Sequence, residues 1–182
     1  MEWKQFFNKN KKKIILIIFI AILAILIIVI SSIYDHKRKN LPKELKGRTV
    51  EELRVAGCTA KKLKCVGYSA KELKEGGYYF KDLINARYTA KELKEAGYTA
   101  KDFEKVRNGF FNNYTVKELK KAGYTAKELK ESGYYYYDIK NAGYTLRELK
   151  EGGYAASELK NDYTPEELKT AGYTSEEIER WH

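Results

Sequence analysis

From Thr49 to the C-terminus the chain repeats itself every ten residues. Copies begin at 49, 59, 69, 79, 89 and 99, resume at 115, 125, 135, 145 and 155, and continue at 164 and 174, which makes 13 units, the last cut short. Residues 41–48 (LPKELKGR) read as a degraded first unit. Ten residues hold one short helix and one turn, and a helix of about seven residues does not persist alone in water. A unit that cannot bury its own apolar face must stack on its neighbours. The period therefore predicts an all-α solenoid of about two-turn helices, one per repeat.

Each unit spells its helix completely. Position 1 is usually Thr or Ser, an N-cap, and position 4 is usually Glu, so Thr-x-x-Glu forms a capping box. Positions 2, 5 and 8 are apolar or small and share one helical face. Position 9 is usually Gly, the left-handed residue that ends a helix. Pro165 and Pro42 sit at position 2, the first helical position, which tolerates proline.

Position 10 is the joint, and ten of the 16 tyrosines occupy it. There a side chain packs back on the Leu at position 5 of its own unit and forward on the next. Tyr98 is thus expected to lie between Leu93 and Phe103. Lys and Glu at positions 3, 6 and 7 are expected to face water. Lys71–Glu75, Lys91–Glu95, Lys127–Glu131 and Arg147–Glu151 are i,i+4 neighbours with the cation first, the weaker orientation, which suits solubility more than stability. A disordered polar tract would not keep cap, core and stop residues in phase.

Ahead of the repeats, residues 14–33 (IILIIFIAILAILIIVISSI) contain no charge. Twenty residues at about 1.5 Å each span roughly 30 Å, the thickness of a hydrocarbon core. The expectation is one transmembrane helix. It follows a basic and aromatic flank (1–13, with Trp3, Phe6 and Phe7) and precedes a basic juxtamembrane linker (34–48). A cleaved signal peptide is the alternative, for which the apolar run is long. Five cations before the run against four after it favour a cytoplasmic N-terminus, with the repeats on the non-cytoplasmic side of the membrane.

The net charge of +10 resides mostly at the N-terminus: residues 1–48 carry +8 and residues 49–182 only +2. Nucleic-acid binding needs a basic face where binding happens, so the near-neutral array argues against it and against a base-stacking role for its tyrosines. The YTAKELKEAG pattern, seen in Thr89–Tyr98 and Thr125–Tyr134, resembles the tandem short-helix decapeptide repeats of some bacterial, protist and large-virus proteins. The resemblance covers residues 49–182. It implies the helical array and no catalytic residues.

Departures from the repeat mark where function can sit. Arg107 and Asn108 replace the usual Gly-Tyr, and six residues, Gly109–Tyr114, read as an insertion. Phe110 and Phe111 within it form either a binding loop or a packing bulge. In the units at 79 and 135 a Tyr replaces the cap, giving the clusters YYF and YYYY. Tyr135, Tyr136 and Tyr137 join Phe110 and Phe111 as candidate partner-binding residues, since exposed tyrosines concentrate binding energy; drift at a tolerant cap is the plainer account. The unit at 155 is one residue short and lacks its Gly, which predicts a kink.

No catalytic, cofactor-binding or metal-binding set emerges. His36 and His182 have no triad or ligand partners in sequence, every Gly follows a helix, and Cys58 and Cys65 lack the histidines of a zinc site. Cys58 takes a Tyr slot as a small filler, and a bridge to Cys65 stays open. The reading is a single-pass, membrane-anchored repeat protein that is not an enzyme. It contacts lipid through its anchor and a protein partner through its array, as an interaction or scaffolding module. A passive spacer or surface coat is the alternative.

Overall fold

The computed structural model describes residues 2–38, 43–107 and 114–179; side chains of the N-terminal helix are described at 12–13, 15–29 and 32–33. Among the described residues there is no strand. Helix α1 runs from Glu2 to Arg38. A 3-10 turn, Lys43–Leu45, follows, and its Leu45 packs on the core as the position-5 residue of the degraded first unit. Then come α2 (Val50–Val55), α3 (Ala60–Cys65), α4 (Ala70–Glu75), α5 (Phe80–Asn85), α6 (Ala90–Glu95) and α7 (Ala100–Arg107). The second series is α8 (Val116–Lys121), α9 (Ala126–Glu131), α10 (Tyr136–Asn141), α11 (Leu146–Glu151), α12 (Ala156–Leu159), α13 (Pro165–Thr170) and α14 (Ser175–Glu179).

The helices start and stop where the repeat grammar puts them. In the unit at 89, Glu92 N–H donates to Thr89 Oγ1 at 3.2 Å while the Glu92 carboxylate accepts from Thr89 N–H at 2.6 Å. At the other end Gly97 takes φ +77°, its N–H donates to Lys94 O at 2.8 Å, and Tyr98 N–H donates to Leu93 O at 3.0 Å. That paired bonding is the Schellman stop, and it brings the Tyr back over the Leu five residues earlier. Arg87 holds the same left-handed conformation, φ 60°, without being glycine.

The period does not say which neighbour each helix packs against. In the structure it is the helix two along: α2 on α4, α3 on α5, α4 on α6, and so through α9 on α11 and α12 on α14. Odd and even helices thus form two interleaved columns around one core. The position-5 residues Leu53, Leu63, Leu73, Leu83, Leu93, Leu119, Leu129, Ile139, Leu149, Leu159 and Leu168 are fully buried. Each such leucine stabilises the stack by roughly 1.5–3 kcal/mol relative to exposure. Where α4 closes on α2 within one column the side chain shrinks to nothing: a Cβ on Gly76 would lie 2.3 Å from Val50 Cγ1.

The stacking runs through the sequence break, with α6 on α8 and α7 on α9. This corrects the insertion's boundaries. Helix α7 extends two residues past its siblings, to Arg107, and Tyr114 belongs to the array as the position-10 residue of its unit. The extra residues are therefore 108–113, which lie outside the described residues with Phe110 and Phe111.

Helix α1 includes the whole 14–33 segment, and its described large apolar side chains, Ile15 to Ile33, are 48–67% exposed. Its described side chains are continuous only over 15–29, and among the described residues no helix is long and apolar enough to cross a membrane. The side chains of Ile14, Ile30 and Ser31, which belong to the expected span, lie outside the described set.

Candidate functional site

The position-10 tyrosines do more than clamp leucines. Six of these hydroxyls donate to the backbone carbonyl of the position-10 residue two units earlier, among them Tyr88 to Tyr68 at 2.6 Å, Tyr124 to Tyr98 at 2.6 Å, Tyr144 to Tyr124 at 2.5 Å and Tyr173 to Tyr154 at 2.7 Å. Tyr78 to Cys58 and Tyr114 to Tyr88 complete the ladder. Cys58 is buried in the Tyr slot and supplies only its carbonyl; Cys65 is exposed, and the two are unbridged. Burial pushes the tyrosine pKa values up, to about 12 for Tyr114, Tyr134 and Tyr173.

The position-6 lysines correct a second expectation. They do not simply face water. Lys64, Lys74, Lys94, Lys120, Lys130, Lys140 and Lys150 each place the ammonium over the ring of the Tyr two units on, at 4.1–5.5 Å. Five of them also meet the position-4 Glu three units on: Lys64–Glu92 at 3.7 Å, Lys94–Glu128 at 3.4 Å, Lys120–Glu148 and Lys130–Glu158 at 3.0 Å, and Lys150–Glu177 at 3.7 Å. A third contact goes to the position-9 carbonyl beside the ring, as in Lys120 to Gly143 at 2.5 Å and Lys130 to Gly153 at 2.8 Å. The ammonium thus has a ring, a carboxylate and a carbonyl. Partial burial pushes the Glu128 and Glu148 carboxyls up, but hydrogen bonds from their capping threonines and lysines bring both below the ordinary value. Positions 3 and 7 do face water, and Lys91–Glu95 and Lys127–Glu131 meet at 4.0 and 3.9 Å.

Against this pattern the irregular units stand out. Position 6 is Glu104 in the unit at 99, and Arg107 takes over from position 9. Its guanidinium lies 5.1 Å from the Tyr134 ring centre, 5.0 Å from that of Tyr135, and 3.5 Å from Asp138. The two irregular places in the sequence therefore touch. Tyr135 and Tyr137 are 69% and 61% exposed, and Tyr79, which has the same cap slot, is 69% exposed. Tyr136 departs from its expectation as a surface residue: it is half-buried against Tyr154, ring centres 5.5 Å apart, and packs on the core. Its buried hydroxyl makes no well-formed hydrogen bond among the described residues; burial and then the nearby Asp162 carboxylate push its pKa up. The short unit at 155 has a purpose in the packing, because its turn brings Asp162 onto Lys140.

Grooves open between successive helices of a column. One, of about 390 Å³, is lined by Lys120, Tyr124, Lys127, Tyr144, Glu148 and Glu151. Its counterpart earlier in the array is lined by Ile84, Arg87, Tyr88, Lys91, Tyr114, Glu118 and Lys121 and holds about 780 Å³. Among the described residues no group of three or more His, Cys, Asp or Glu is placed to hold a metal ion.

No curated protein and no solved structure matches the chain. A family model described as the decapeptide repeat region matches twice, over residues 47–110 and 112–181, and the gap between the matches falls at Phe111 in the sequence break. One short helix per ten residues, capped, stacked and stopped as that pattern requires, agrees with the match over the described residues, and the chain belongs to the decapeptide-repeat family.

Proposed function

We propose that the chain is a membrane-anchored, non-catalytic scaffold whose array presents an aromatic surface to a protein partner. The observation that carries the reading is the exposure of Tyr137 and of Tyr135, which lies beside Arg107, in an array that buries most of its position-10 tyrosines. Tyr and Arg together are the residues on which protein interfaces concentrate their energy. A passive spacer has no use for an aromatic pair in water. Segment 14–33, inside α1 and apolar on every side, supports the anchor.

A photo-crosslinking residue at position 137, compared with one at the solvated Lys127, tests the interface in cells. A discrete adduct from 137 alone is expected; the same adducts from both positions would leave the spacer. Retention in the membrane pellet through an alkaline wash tests the anchor, with a variant lacking residues 1–48 expected in the supernatant. Protease digestion of a C-terminal tag on intact membranes tests the proposed non-cytoplasmic placement of the repeats.

A further inference from the structure

The unit at 79 has the ring and the carboxylate of a lysine site without its lysine. Position 6 is Ile84, which is two atoms shorter than lysine and uncharged. The receiving ring and carboxylate are in place. Tyr114 stands where the receiving ring belongs, fixed by its hydroxyl bond to Tyr88 O and an edge contact to Phe103 at 5.2 Å. Glu118 stands where the receiving carboxylate belongs, held by Thr115 N–H at 2.7 Å. Among the described residues no cation lies over the Tyr114 ring and none pairs with Glu118. The groove is about 780 Å³ here, against about 390 Å³ where Lys120 enters its equivalent.

We propose that this groove is a receptor for one lysine side chain of a partner protein, flanked in the partner by acidic residues. The lysine sets its ammonium over Tyr114 and pairs with Glu118, as Lys120 does with Tyr144 and Glu148. The acidic flanks follow from the rim. Arg87, Lys91 and Lys121 line it, whereas the equivalent groove has Glu151 in the place of Lys121. A bare cation meets that rim unfavourably; an acidic-lysine-acidic segment matches it. The array's own lysines occupy such segments, Glu-Leu-Lys-Glu at 92–95 and 128–131. The inference goes beyond the Tyr135 surface and does not depend on it.

The test uses the full chain in detergent micelles, with 13C-labelled tyrosine rings read by NMR. The probe is the peptide acetyl-Glu-Leu-Lys-Glu-amide, with acetyl-Glu-Leu-Gln-Glu-amide as control. A saturable shift of the Tyr114 signal is expected, at least tenfold weaker with the glutamine peptide. Glu118→Gln, which keeps the capping box, is expected to weaken it about tenfold. Ile84→Lys fills the site from within, and is expected to abolish the shift and raise the Tm. Equal binding of the two peptides, undiminished binding to Ile84→Lys or Glu118→Gln, or no shift of Tyr114 overturns the proposal.

Discussion

Two stretches of the array solve one packing problem with different material. From Thr115 to Tyr154 every unit has Lys at position 6 and Gly at position 9. From Tyr79 to Tyr114 those positions read Ile84, Lys94 and Glu104, then Arg87, Gly97 and Arg107, and six residues are added. Yet Leu83, Leu93 and Phe103 are as buried as Leu119, Leu129 and Leu149, and the hydroxyl ladder passes through both stretches. The fold thus depends on positions 5 and 10. Positions 6 and 9 adjust it, and can be given to other purposes.

The ladder is where both stretches are most alike, and raising the pH attacks it everywhere at once. Burial raises the native pKa of Tyr114 in one stretch to about 12, against an ordinary 10.0, and raises those of Tyr124 and Tyr144 in the other. A raised native pKa contributes stability that is complete below pH 10 and is lost as pH rises through 10 toward 12. Cooperative loss of helical circular dichroism across that window is the expected outcome. Survival of the signal at pH 12 would show that the hydroxyls are dispensable. Next in size, Leu83→Ala and Leu129→Ala are expected to cost about 2–5 kcal/mol each in urea unfolding, since both side chains are fully buried. A much smaller loss at Leu83 would mean that the irregular stretch is packed less tightly, breaking the equivalence.

Lys120→Ala separates the stretches. Losing the ring, carboxylate and carbonyl contacts at once is expected to cost about 1–2 kcal/mol, read as a lower Tm, because the site is only partly screened from water. The smallest effect sharpens the contrast at position 9. Arg87 occupies a left-handed conformation that costs a non-glycine residue about 1 kcal/mol, so Arg87→Gly is expected to stabilise by that amount and Gly123→Ala to destabilise similarly. Thermal melts of the two single variants check the signs.

The local grammar of these units was legible because its partners are neighbours. Thr89 and Glu92 are three residues apart, and Leu93 and Tyr98 five, so caps and stops follow from spacing alone. The n-to-n+2 packing was not, since a strict period is compatible with any stacking offset. The hydroxyl ladder and the lysine sites follow from that offset and stayed hidden with it. Position 6 nevertheless gave a signal: it is Lys or Arg in 10 of 13 units, while position 7 passes through Val, Cys, Glu, Asn, Lys, Thr and Arg. A charge fixed so regularly on a supposedly solvated face points to a partner. The contact between Arg107 and Tyr135 had no such signal, because it joins two irregularities 28 residues apart in sequence.

The ladder also bears on how such a chain changes length over generations. A typical unit brings one hydroxyl donor and one carbonyl acceptor, and each bond of the ladder reaches back by two units. Duplicating a ten-residue stretch adds a rung and leaves none broken, and deleting one simply lets the flanking rungs close. An odd number of added units exchanges the two columns downstream, but the columns are chemically alike, so the exchange costs little. Genes for this architecture can therefore lengthen or shorten by slippage in steps of thirty nucleotides. Only the irregular units, whose contacts name particular partners such as Arg107 and Asp138, resist that drift.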